Sequence, residues 1–161
     1  MSDLDRDDHR HPRSTARIGG HPIHPMLVPI PIVCFIGAFV ADILYVRGGG
    51  DQAIAASASI WLLAIGLVGA ALAATAGFTD YFGSARIRDI KDATHHMIAN
   101  LLAVVLEVVN LFVRLNDHEA IAGTGIILSG IVVLILLYSG WKGGELVFRH
   151  GVGVLDDGQV R

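Results

Sequence analysis

The chain is short of charge. Of its 161 residues, 17% are Asp, Glu, Lys or Arg, where soluble domains carry about a quarter. That shortfall argues against a domain bathed in water on all sides. Acidic and basic residues nearly balance, 15 against 12. There is no basic excess and no interleaving of Lys or Arg with aromatics, so nucleic acid is not an expected partner. Cysteine is down to Cys34, which excludes an intrachain disulfide and leaves no Cys/His cluster for an iron–sulfur centre. Cys34 lies in an apolar run and reads as a small buried hydrophobe. No Ser or Thr sits in a nucleophile–base setting, and Gly48-Gly49-Gly50 lacks the Lys and the preceding strand of a phosphate loop. The first 17 residues mix four Asp with four Arg and lack the apolar core of a secretory signal. Residues 1–20 are expected to be a disordered tail.

What the chain has is apolar length. It is 53% hydrophobic, and four apolar segments stand out, at about 26–46, 55–78, 95–115 and 121–141, inside a membrane domain of 21–155. Each is about 20 residues, the length a helix needs to cross a hydrocarbon layer. A soluble bundle would carry a charged stripe on every helix, yet no charge falls between Gln52 and Asp80. The predicted fold is all-α: a four-helix transmembrane bundle, up-down-up-down, with both termini on one side. That side would hold Arg6, Arg10, Arg13, Arg17, Arg86, Arg88, Lys91, Lys142, Arg149 and Arg161. The other would hold only Arg47 and Arg114. Ten against two places both termini in the cytoplasm, of a multi-pass protein in the bacterial inner membrane. Gly66, Ala70, Ala73 and Gly77 form a small-residue face on the second helix, suited to close helix packing or to a flat cofactor.

The polar residues gather at helix ends. His21 and His24 open the first span, Asp80 closes the second, His95 and His96 open the third, and Glu145 and His150 follow the fourth. An up-down topology brings all of these to one membrane face. Pro25 suits a first helical turn, and the preceding His-Pro-Ile-His favours polyproline II, which would project His21 and His24 from one edge. Gly140, Gly143 and Gly144 would let the chain bend after the last span. His150 would then fold back towards His21 and His96 or trail into solvent. Glu145 and Arg149, spaced i,i+4, can pair at the surface.

A second pattern runs along the third span. His96, Asn100, Ala103, Glu107, Asn110 and Arg114 lie on one face of a helix. His24 and Asp42 are 18 residues apart, five whole turns. Polar side chains inside a membrane are costly and point into the bundle, so Asn100, Glu107, Asn110 and Asp42 are expected in its interior. Glu107 lies about 16 Å from His96 along the axis. It reads either as a polar clamp between helices or as a proton-carrying carboxyl behind the histidines.

With these residues in view, the chain resembles a family of small bacterial membrane proteins, domain of unknown function 2231. The matching elements are "GHPIHPMLVPIPI", "GFTDYFG", "HHMIANL" with the later Asn110 and Arg114, and "GWKGGELVFRHGVGV". They carry the resemblance onto His21, His24, Pro25, Asp80, His96, Asn100, Asn110, Glu145 and His150, over nearly the whole chain beyond the tail. His95 stands where the family pattern has an apolar or aromatic residue, and Glu107 lies outside the pattern. The resemblance implies a four-helix membrane domain and, through relatives joined to a Rieske-type domain, an iron–sulfur redox partner.

The leading functional expectation is a b-type haem electron-transfer protein, since bundles build cofactor sites from side chains on facing helices. His24 and His96 would bind the iron, with His21, His95 and His150 as alternates, and a quinone or an iron–sulfur protein would exchange electrons. The alternative is a transition-metal module holding Zn, Cu or Fe with His24, His96, His150 and Asp80 or Glu145, which needs these atoms at one point. Proton conduction along Asp42, Asn100, Glu107 and the histidines is a third reading, and it requires a homo-oligomer. The fourth is a structural or accessory subunit in the lipid bilayer, without a cofactor, whose polar residues only fix helix packing.

Overall fold

The computed structural model describes residues 11–48 and 50–154. A two-residue hairpin opens it: β1 (Arg17–Ile18) pairs antiparallel with β2 (His21–Pro22). Gly19 and Gly20 make the turn with φ of 56° and 85°, a region that glycine enters without a Cβ clash. There follow α1 (Ile23–Leu27), α2 (Pro29–Arg47), α3 (Gln52–Gly83), the short α4 (Ala85–Arg88), α5 (Lys91–Asn116), a 3-10 turn (His118–Ala122) and α6 (Thr124–Phe148). The Val28 N–H donates to His24 O and the Ile32 N–H to Val28 O, so α1 and α2 run on as one 25-residue span despite Pro25, Pro29 and Pro31. Four helices are thus long and apolar enough to cross a membrane, by length and composition.

The first three spans exceed their apolar segments at both ends, whereas the fourth, α6, begins at Thr124, after the 3-10 turn, and overruns only at its C-terminal end. Asp51 extends α3 by capping its N-terminus, accepting from the N–H groups of Ala53 and Ile54. The bend expected at Gly140, Gly143 and Gly144 does not occur, because α6 continues to Phe148. A mid-helix glycine costs about 1 kcal/mol against alanine, and packing offsets it: Gly143 lies against the His96 ring, where a Cβ would stand 3.1 Å from Cε1.

Cross-helix contacts fix the topology. Asp42 meets Ser59 while His24 meets Ala73, so α2 and α3 are antiparallel. Arg114 meets Ser129 while His96 meets Ser139, so α5 and α6 are antiparallel too. Asp42 with Arg114 and His24 with His96 set α2 parallel to α5. The chain is therefore an up-down-up-down bundle with a terminal face and a loop face.

Its interior is built from small and polar residues. Ala38, Ala41, Ala56, Ala70, Ala73, Ala76, Ala99 and Ala103 are buried, with Phe35, Leu63 and Val132 as the few large apolar fillers between the long helices. Phe35 lies over Gly66, where a Cβ would come within 2.6 Å of its ring. Val40, Leu44, Trp61, Ile65, Leu72, Val105, Phe112, Leu134 and Leu137 point outward. Lipid tails solvate such side chains as well as a protein core does, so close backbone approach and hydrogen bonding, more than apolar burial, hold membrane helices together. The small face of α3 is filled accordingly, by Phe35 at Gly66, Ile30 at Gly69 and His24 at Gly77.

Of the tail expected over 1–20, residues 1–10 lie outside the described residues. Residues 14–16 are tied to α3. Asp80 Oδ1 accepts from Ser14 Oγ, the Thr15 N–H and the Ala16 N–H at 2.7–2.8 Å, and Ser14 is buried. The Ile23 N–H then donates to Ala16 O. The polyproline II lead-in expected over His21 to His24 is not formed: His21 and Pro22 lie in β2, and Ile23 and His24 already begin α1.

Candidate functional site

At the terminal face, His24 from α1 and His96 from α5 meet with ring centres 6.1 Å apart and ring planes at 88°. His24 Nδ1–H donates to Ala73 O of α3 at 2.8 Å. His96 Nδ1–H donates to Ser139 O of α6 at 2.8 Å. A carbonyl can only accept, so Nδ1 of each ring carries the hydrogen of that bond. A main-chain partner of this kind fixes the tautomer and orientation of a metal-binding histidine. Glycine makes the seats: a Cβ on Gly77 would lie 2.9 Å from His24 Nδ1. Asn100, one turn beyond His96, donates Nδ2–H to His96 O and Ser139 Oγ at 2.8 and 2.7 Å, and the same nitrogen lies 3.2 Å from His96 Nε2.

Towards the loop face lies a second, fully buried cluster. Arg114 and Asp42 form a two-pronged ion pair, with Nη1–Oδ1 at 2.6 Å and Nη2–Oδ2 at 2.7 Å and both side chains at 0% exposure. Arg114 Nε donates to Asn110 Oδ1, Nη2 to Ser129 Oγ and Nη1 to Ser59 Oγ. Ser59 donates to Asp42 at 2.6 Å. Asn110 Nδ2 donates to Glu107 Oε2 and to Ser129 Oγ. The cluster joins α2, α3, α5 and α6. A Cβ on Gly125 would come within 3.2 Å of Arg114 Nε, so α6 also fits closely over the guanidinium.

The proposed metal set does not assemble. Among the described residues no group of three or more His, Cys, Asp and Glu is arranged to hold a metal ion. Each member other than the central histidines has another partner. Asp80 caps the strap, Glu145 pairs with Arg149 at 3.2 Å, and His150 Nε2 lies 3.3 Å from Asp92 Oδ2. His21 stays outside, its Nδ1–H on Gly19 O at 3.1 Å, because the hairpin turns it away from His24. His95 is exposed at the end of an apolar outer groove between α5 and α6, beside Ile98 and Tyr138.

Sequence reasoning missed the hydroxyls of Ser59, Ser129 and Ser139, and Asp92, which Lys142 approaches to 2.7 Å. The available signal was a serine inside an apolar span, a small group able to bond across helices.

A family model described as "Predicted membrane protein (DUF2231)" matches residues 20–156. No curated protein and no solved structure matches the chain.

Proposed function

This chain belongs to the DUF2231 family of predicted membrane proteins, and we propose that it is a small membrane electron carrier in which His24 and His96 hold one b-type haem. The observation that carries this reading is the histidine pair. His24 from α1 and His96 from α5 would hold the group, each through Nε2, with the Nδ1 side of the ring kept on a main-chain carbonyl. The rings of His24 and His96 are 6.1 Å apart. Each donates Nδ1–H to a main-chain carbonyl. Two ligands are too few for a structural zinc site, which takes four, but they suffice where a macrocycle supplies the remaining donors.

Such a group, when bound, takes up and releases single electrons. The chain's own contribution is orientation and dielectric. Ala73 and Ser139 fix the two rings from α3 and α6, and Asn100 must give up its 3.2 Å contact with His96 Nε2. The apolar outer faces keep the pair within the bilayer. In this reading the protein lies in the bacterial inner membrane with cytoplasmic termini, and exchanges electrons with a quinone or an iron–sulfur protein.

A second reading makes the histidines helix clamps. It rests on His96, whose two ring nitrogens both already have a neighbour, Ser139 O at Nδ1 and Asn100 Nδ2 at Nε2. An absorption spectrum of the detergent-purified protein, before and after dithionite, separates the two. The haem reading expects a Soret band with sharp α and β bands on reduction, lost in His24→Ala and His96→Ala. A featureless spectrum that persists after haem is supplied overturns it and leaves the clamps, and elemental analysis then tests for Zn, Cu or Fe.

A further inference from the structure

The loop-side cluster contains a carboxyl that its neighbours do not satisfy. Arg114 has five N–H bonds, and all five are engaged: Nε with Asn110, Nη1 with Asp42 and Ser59, Nη2 with Asp42 and Ser129. Its single positive charge is matched by Asp42 in a two-pronged pair. Both N–H bonds of Asn110 are used as well, one on Glu107 Oε2 and one on Ser129. Glu107 is 0% exposed, and its Oε1 is buried without a hydrogen-bond partner among the described residues.

The charged groups around Glu107 can be counted helix by helix. α2 brings Asp42 and α5 brings Arg114, while α3 and α6 bring only the hydroxyls of Ser59 and Ser129. An ionised Glu107 would leave the buried cluster with a net charge of −1. It would be held by one neutral amide donor, in a bundle whose outer face is apolar. A buried ion without a partner costs several kcal/mol even after relaxation, whereas a neutral acid costs no more than an unpaired polar group. Binding a proton removes the excess charge, and Oε1 is the oxygen free to carry it.

We propose that Glu107 is a proton-binding site, holding one exchangeable proton on Oε1 inside the bundle. The site is independent of the histidine pair, about 16 Å away along α5 at 1.5 Å per residue. It does not rest on the haem reading. Asp42 and Arg114 serve as its positioning residues: by neutralising each other they deny Glu107 a counter-ion.

Infrared difference spectroscopy of the whole protein in lipid, in H2O and then in D2O, tests this at neutral pH. The expected result is a carbonyl-stretch band of a protonated carboxylic acid that shifts down on deuteration and disappears in Glu107→Gln. That substitution keeps the shape and the acceptor for Asn110, so the bundle still folds. Absence of the band from the wild-type protein overturns the proposal, as does its persistence unchanged in Glu107→Gln. A spectrum lacking any haem band would leave this result untouched.

Discussion

At the residue scale the costly groups are Arg114, Asp42 and Glu107, all with 0% exposure. Removing one partner of a buried pair strands the other, at about 3–5 kcal/mol. Here a reserve exists, because Glu107 stands two helical turns before Arg114 on the same face of α5 and carries an oxygen without a partner. Asp42→Asn therefore costs less than that range, since Glu107 can release its proton and take over as counter-ion. Glu107→Gln alone costs little. The double variant Asp42→Asn/Glu107→Gln leaves the guanidinium with no anion and loses about 3–5 kcal/mol, more than the two single losses added. Unfolding in mixed micelles across the four proteins reads this as a coupling of about 1 kcal/mol or more. Simple additivity would show that Glu107 never substitutes for Asp42.

At the scale of the helix, three glycines in α6 separate packing from propensity. A Cβ on Gly143 would press on the His96 ring at 3.1 Å, whereas Gly140 and Gly144 have nothing within 4 Å. Gly140→Ala should raise stability by up to about 1 kcal/mol. Gly143→Ala should lower it by about 1–3 kcal/mol through overpacking and weaken the hydrogen bond from His96 to Ser139. Thermal unfolding of the two variants in one detergent checks the opposite signs. The helices themselves were legible because about 20 apolar residues in a row leave the backbone little alternative to a span. The inward stripe of α5 was legible from its steps of three and four. The helix ends were not, since Asp51 as a cap and Gly143 as a seat act through neighbours that no periodicity reveals. The metal set around Asp80, Glu145 and His150 failed for a related reason. Sharing a membrane face does not bring residues together when each has a nearer partner, and the partners were a strap, an i+4 arginine and Asp92.

On the scale of the whole molecule, the two polar clusters divide the bundle. The histidine pair lies at the terminal face and the ionic cluster towards the loop face, with Ala103 between them on α5. Which cluster faces the cytoplasm decides, on the proposed haem and proton-site readings, from which side electrons or protons would reach each one. The ten-to-two distribution of Lys and Arg argues that the terminal face is cytoplasmic. Single cysteines placed in a Cys34→Ala background test it, since Cys34 is buried and small. Asp89→Cys lies on the exposed terminal-side connection and His118→Cys on the exposed loop-side turn. In intact cells a membrane-impermeant maleimide should label the His118→Cys protein and spare the Asp89→Cys protein until the cells are opened. Labelling in the reverse order would put the histidine pair at the outer face. On the haem reading an electron donor would then have to approach from outside the cell membrane, and the proposed proton on Glu107 would equilibrate with the cytoplasm instead.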